Sequence, residues 1–503
     1  MERSQQMEAF LERLRPALNL NRAAMVLEWD QHTYMPPGGA EARAEQIATL
    51  TTLAHERLVS DETARALEAL EEEARSAPPD SFVAGVVRVA RREIDQRRKI
   101  PARLVADLAR AGSLAQNAWV QARSESRFEL FRPHLERILD LTLELAEHLG
   151  YQEHPYDALL GRYEPEMKRA EVDRLFEELK KRLLPLVDGI RAHLDRVSDQ
   201  ILRQSFPIEG QVELGRAVLK AMGFDFERGR IDTSVHPFTI SFSPADVRIT
   251  TRFDENNLAY ALYSTIHEGG HALYEQGIPL ELEPTPLGEV SSLGLHESQS
   301  RLWENVVGRS REFWRFFLPV AQRIFPSQLG PATVEDLYRA VNRVEPSFIR
   351  TEADEVTYNL HIFVRYELER DLVSGALAVA ELPEAWNAKM EAYLGIRPAD
   401  DAQGVLQDVH WSQGSIGYFP TYTLGTVFAA QLFEQAEREN RGLREALARG
   451  ELIELKEWLN RRMHVHGGRY TLQEMARLVT GRELEAGPYL SYLEGKYREL
   501  YGL

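Results

Sequence analysis

Residues 258–277 read Leu258-AYALYSTIHEGGHALYEQ-Gly277 and contain His267-Glu268-Gly269-Gly270-His271. Leu258, Ala261, Leu262, Ile266 and Leu273 recur at helical spacing and no proline interrupts them, so the stretch reads as a buried α-helix. Histidines four apart on a helix lie one above the other on one face, close enough to hold a single metal ion. Glu268 then falls beside the metal's open position, where a water binds. Gly269 and Gly270 stand in mid-helix, where each costs about 1 kcal/mol relative to alanine. Close approach of another backbone, or of a substrate, is a physical reason to keep both. The plainer alternative is a core helix whose histidines are merely hydrogen-bonded.

Composition sets the frame around that helix. The chain has 503 residues, 44% of them hydrophobic, which is ample for a large core. Ala, Leu, Glu and Arg dominate and strand-rich windows are scarce, so a mainly α-helical protein is expected. A net charge of -18 argues against nucleic acid or an anionic membrane surface as partner. The absence of cysteine excludes disulfides, thiolate metal sites and a cysteine nucleophile, leaving His, Asp and Glu to hold any metal. Met1-ERSQQMEAFLERLRP is charged and amphipathic, unlike a signal peptide, and the apolar stretch at Tyr422-TLGTVFAAQLF is too short to cross a bilayer. A cytoplasmic enzyme is the expectation. Arginine greatly outnumbers lysine, as genome composition or heat adaptation would both produce.

From Met1 to about Gly150 the chain reads as successive charged helices, broken at Pro36-Pro37-Gly38-Gly39, at Ala77-Pro78-Pro79-Asp80-Ser81 and at Pro101. The basic run Arg88-VARREIDQRRK is interrupted by acidic residues and reads as a solvated helix face. Gly150-YQEHPYDALLGRYEPEM is a polar and aromatic connection, after which helices resume at Arg169. The one convincing strand region is His236-PFTISFSPADVRITTRF, a hairpin about Ser243-Pro244-Ala245-Asp246. A small sheet beside the metal helix follows, and its edge is suited either to pairing with an extended peptide or to a purely structural role. Further helices are expected at Ser291-SLGLHESQSRLWENVV, around Val334–Arg343, Glu352–Leu372 and Glu384–Leu394, and from Tyr422 to the C-terminus. No flexible linker, low-complexity tract or fixed-period repeat divides the chain, so residues 1–503 read as one bilobed body.

Two histidines leave a catalytic zinc one protein ligand short. Glu289, His296, Glu297 and Glu304 are the candidates, and Glu297 is preferred because a carboxylate from the next helix completes a His2Glu set. That set suits Zn2+, with Co2+ or manganese as substitutes. His296 is then either a neighbour of the metal, a substrate-facing group or an ordinary polar residue.

Six segments occur in a fixed order: His236-Pro237-Phe238; Asp246-Val247-Arg248-Ile249-Thr250; His267-Glu268-Gly269-Gly270-His271; His296-Glu297-Ser298-Gln299; Ile349-Arg350-Thr351-Glu352-Ala353-Asp354; and Gly404-Val405-Leu406-Gln407-Asp408-Val409-His410-Trp411. With them the chain resembles the carboxypeptidase Taq family of metallocarboxypeptidases, and in particular a thermostable bacterial member. The resemblance implies a helical fold similar to neurolysin and angiotensin-converting enzyme, with a deep central groove and a metal at its floor. Residues 1–235 would form a largely helical groove wall, 236–425 would carry the sheet, metal site and substrate-binding segments, and 426–503 the C-terminal helices. It also implies a homodimer, and removal of single C-terminal residues from peptides with broad specificity. Residue by residue, it makes His267, His271 and Glu297 the ligands and Glu268 the catalytic base.

The chemistry agrees with those roles. Zinc brings the pKa of its water to about 7, and a neighbouring glutamate can take the proton and pass it to the leaving amine. The developing oxyanion needs a donor besides the metal, for which His410, Tyr418 and Tyr422 are candidates and His410 with Tyr422 are preferred. A free C-terminal carboxylate is best gripped by a guanidinium, so Arg350 is the expected anchor, with Arg248 second and His236 also facing substrate; a structural salt bridge is the alternative for either arginine. Asp354 and Asp408 are suited either to orienting the metal-binding imidazoles or to a purely structural role. The rival enzyme reading is an oligopeptidase or dipeptidase with the same core. The rival of another class is a non-catalytic helical peptide-binding scaffold with a structural metal, which would need a fourth protein ligand and no Glu268. No Walker loop, GxGxxG fingerprint or GxSxG elbow is present.

Overall fold

Serine hydroxyls start many of the N-terminal helices: Ser4, Ser60 and Ser81 accept from the N–H groups of Met7, Thr63 and Ala84. The computed structural model of the protein describes residues 3–503. Its first helix, α1 (Gln5–Thr33), ends before the Pro36–Gly39 break, and the next begins at Ala40, as expected. Pro101 likewise opens Ala102–Glu125. The connection after Gly150 holds one short helix, Pro155–Leu160, before helices resume at Arg169. The main apolar core draws on residues from Met7 to Tyr501, with a smaller cluster of Leu104, Leu141, Leu145 and Leu149 beside it. Among the described residues no helix is long and apolar enough to cross a membrane.

The site is built from a central group of elements. Helix α2 (Ile208–Met222) leads to strands β1 (Gly229–Thr233), β2 (Thr239–Ser243) and β3 (Asp246–Thr251), followed by helix α3 (Leu258–Gly277) and helix α4 (Leu293–Arg301). Helices α5 (Tyr358–Val373) and α6 (Pro420–Glu439) complete it. The sheet order is β1-β3-β2, with β2 antiparallel and β1 parallel to β3. The hairpin follows the sequence expectation, whereas β1 is an addition. Its buried residue is Asp232, bonded by Tyr34 and Arg230, so no apolar alternation announces it. Thr251 and Thr265 hydrogen-bond each other, fixing one face of the sheet against α3.

A second difference concerns α5, which begins at Tyr358 and not at Glu352. Residues Arg350–Glu352 form a single 3-10 turn, and the Asp354 carboxylate accepts from the N–H groups of Val356 and Thr357. That local turn competes with helix, as aspartate side chains commonly do.

The two mid-helix glycines are packing contacts. A Cβ on Gly269 would meet Leu219 Cδ2 of α2 at 2.6 Å, and one on Gly270 would meet the Gln299 carbonyl oxygen and Ser300 Cα of α4 at 2.6 and 2.7 Å. The first neighbour is the end of a side chain and can turn away; the second is helix backbone. Gly270→Ala is therefore expected to destabilise the fold by about 1–3 kcal/mol and to weaken metal binding, with Gly269→Ala the milder of the two. Urea unfolding of both variants checks this, and equal losses would contradict it.

Candidate metal centre

Helix α3 presents its histidines toward α4. One nitrogen each from His267 and His271 and one oxygen of Glu297 lie within 4.8 Å of one another. The contacts are through the outer ring nitrogens: Glu297 Oε2 stands 3.6 Å from His267 Nε2 and 3.4 Å from His271 Nε2. Of the four residues weighed as third ligand, Glu297 is the one brought to both histidines. Its position is fixed from two sides, because a Cβ on Gly425 of α6 would meet Glu297 Cβ at 2.7 Å. Two imidazoles and a carboxylate fit a divalent transition metal, as the sequence reading expects of a cysteine-free chain.

Each group is held by another behind it. His267 Nδ1 lies 2.8 Å from Glu304 Oε2, which the π-helical turn Leu302–Val307 places under α3. His271 Nδ1 lies 2.5 Å from His296 Nδ1, whose Nε2 is 2.9 Å from Glu275 Oε1. If His271 Nδ1 donates to His296, then His296 Nε2 donates to Glu275 and both outer nitrogens on the ligands stay free. Glu304 and Glu275 therefore take the orienting role that the sequence offered to Asp354 and Asp408, and those two take its structural alternative. Asp354 caps its own turn, and Asp408 pairs with arginines, because sequence alone does not place either on the far side of α3.

Charge decides the state of each group. Burial works against a charged Glu297, but Arg301, which donates to it at 2.6 Å, and the two imidazoles hold it well below the usual carboxylate range. Burial also opposes ionised Glu304, yet His267, Arg301 and Arg309 bring it down to about 2. Burial pushes His271 down to about 3, which keeps that ring neutral and able to ligate. Glu268 differs: burial raises its carboxyl, and its hydrogen-bond donor is Thr239, whose Oγ1 is 2.7 Å from Glu268 Oε2.

The remaining sequence candidates fall into two groups. Tyr418 and Tyr422 stand with their rings 5.4 Å apart, and His410 Nε2 is 3.4 Å from the Tyr422 hydroxyl. Burial moves His410 to about 4 and Tyr418 to about 12, so a neutral imidazole and neutral phenols stand there at pH 7. Arg350 is buried beside the same cluster, 4.9 Å from the Tyr422 ring. It donates from Nε and Nη2 to Asp408 Oδ1 at 3.0 and 2.8 Å and from Nη1 to Tyr358. Arg365 grips the other oxygen of Asp408 at 2.6 Å. Arg248 and His236 lie elsewhere. Arg248 pairs with Asp246 and stacks on Trp29 of α1 at 4.4 Å, on the sheet face away from α3, while His236 is exposed in the bend between β1 and β2.

Sequence reasoning missed Thr239 and Glu275 altogether and weighed Glu304 only as a ligand. Glu304 carried a readable signal, because it lies two helical turns beyond Glu297 and so on the same face.

A family model described as carboxypeptidase Taq (M32) metallopeptidase matches residues 9–497. The chain is 45% identical over 502 residues to thermostable carboxypeptidase 1 of Thermus thermophilus, covering 98% of both chains. It is 39% identical over 492 residues to carboxypeptidase 1 of Bacillus subtilis, again covering 98% of both. Among solved structures, the M32 carboxypeptidase of Deinococcus radiodurans R1 matches with a TM-score of 0.95 at 42% identity, over 99% of this chain and 100% of that one.

Removing the carboxylate behind His267 tests the arrangement. Glu304→Gln is expected to weaken metal binding by about 10- to 100-fold, read by chelator competition, with Glu297→Ala more damaging still. Unchanged affinity in Glu304→Gln would mean that His267 needs no such support.

Proposed function

Because the chain belongs to the carboxypeptidase Taq (M32) metallopeptidase family, and is accordingly a metallocarboxypeptidase and a peptide hydrolase, we propose that it is zinc-dependent and releases single residues from the free C-termini of peptides with broad specificity. Co2+ is the expected substitute metal. The observation that carries this reading is the meeting of His267, His271 and Glu297 beside a buried glutamate with one hydrogen-bond donor. When bound, the metal supplies acidification of a water and polarisation of the scissile carbonyl.

The chain's own residues supply the rest. Glu268, raised by burial, takes the proton of the attacking water and hands it to the leaving nitrogen. Tyr422 and His410 donate hydrogen bonds to the developing oxyanion, in surroundings where burial keeps both neutral.

Arg350 binds the substrate carboxylate. Support comes from charge: Arg350 and Arg365 share the single carboxylate of Asp408, so the trio retains one positive charge in a buried setting. A guanidinium has five N–H donors, and Arg350 uses three of them on Asp408 and Tyr358. A peptide's terminal carboxylate would neutralise that surplus. His236 and Arg248, off the metal cluster, are assigned to the more distant wall of a peptide-binding groove similar to that of neurolysin and angiotensin-converting enzyme. A single peptidase unit over residues 1–503, acting as a cytoplasmic homodimer, completes the proposal.

The test compares a peptide with its C-terminal amide on the metal-loaded enzyme. The amide is expected to be cleaved at least about a hundredfold more slowly, as loss of a buried charge-assisted pair implies. Equal cleavage would favour an oligopeptidase. Glu268→Gln should keep its metal by elemental analysis and lose roughly 100- to 10,000-fold in kcat; retained activity would remove Glu268 from the base role.

A further inference from the structure

Resting on the reading of Glu268 as the base, we infer that Thr239 is a positioning residue that tethers the Glu268 carboxylate and keeps it from joining the metal as a ligand. The Thr239 hydroxyl lies 2.7 Å from Glu268 Oε2 and 3.0 Å from the Glu268 main-chain oxygen. The shorter contact is to the carboxylate, which accepts no other hydrogen bond among the described residues. Oε2 is therefore pinned while Oε1 stays free for proton transfer.

The need for a tether follows from the neighbours. Glu268 adjoins His267 in sequence and is buried on the same helix. Its carboxylate stands outside the 4.8 Å cluster of His267, His271 and Glu297, yet a carboxylate one residue from a ligand is itself a candidate fourth ligand, and once bound it could not act as a base. The other carboxylates of the site do not face this choice, since Glu297 is held by Arg301 and Ser300, and Glu304 by His267 and Arg309.

Placement on a strand makes the tether firm. Thr239 opens β2 and pairs with Ile249 of β3, so its side chain shares the sheet face that carries Ile249 and packs on α3. A β-branched side chain in a strand has few χ1 choices, which holds the hydroxyl in place.

Thr239→Val keeps the shape and the strand preference while removing the donor. The expected result is a fall in kcat of roughly tenfold to a hundredfold, from losing a hydrogen bond to a charged group. KM is expected to hold within about threefold, and the metal dissociation constant to stay unchanged or become tighter. Thr239→Ser should restore kcat. A lesion of the fold would loosen metal and slow catalysis together, so that result would overturn the inference. So would an unchanged kcat in Thr239→Val, or a Thr239→Ser variant as impaired as Thr239→Val. If Glu268→Gln remains active, the base reading falls and this inference with it. If Glu268→Gln is dead but Thr239→Val is fully active, this inference alone falls.

Discussion

The structure depends on the contact between α3 and α4 at Gly270. There the main chain of Gln299 and Ser300 lies where a side chain would otherwise stand. Two of the proposed metal ligands are on one helix and the third on the other, so their separation is set by how closely those helices pack. Only glycine allows this approach. Gly425 repeats the device on the opposite side of α4, where α6 presses on Glu297 itself. Glu297 is thus placed by backbone packing from two directions, which is more rigid than any side-chain rotamer preference.

Around that frame the protein sorts its buried carboxylates into two kinds. Glu297 and Glu304 are buried among Arg301, Arg309 and the histidines, and their negative charge is matched on the spot. Breaking such a network by removing one partner strands a charge in a medium of low polarity, which is costly. Glu268 is buried without a matching cation bonded to it, and its carboxyl rises in consequence. Neighbouring glutamates in one site therefore stand apart in proton affinity, the first two suited to stay ionised and the other to carry a proton. The same sorting operates at Asp408, where two arginines on one carboxylate leave a cationic surplus beside the aromatic cluster of Tyr358, Phe419 and Tyr422.

Much of this was legible in the chain. The helix over 258–277 has the residue limits that its apolar spacing and flanking residues indicate, and the hairpin about Ser243–Asp246 lies where β-branched alternation puts it. The Pro36–Gly39 break, Ser81 and Pro101 marked three of the N-terminal helix starts, because those signals act within a few residues of themselves. β1 was hidden because its inward residue is a charged Asp232, and the start of α5 because Asp354 closes a turn with the backbone two and three residues on.

The sequence by itself determined the donors offered to a metal: two histidines one helical turn apart, a glutamate between them, and no thiol to compete. Those constraints are local, so spacing expresses them directly. Tertiary structure alone decided which groups stand behind the proposed ligands and which holds the proposed base. Glu304 under His267, His296 and Glu275 behind His271, and Thr239 on Glu268 each join residues from separate elements. The order of residues along a chain does not encode such contacts. They arise when a sheet and two helices close on α3, and the Gly270 crossing sets how tightly the helix carrying Glu297 can approach.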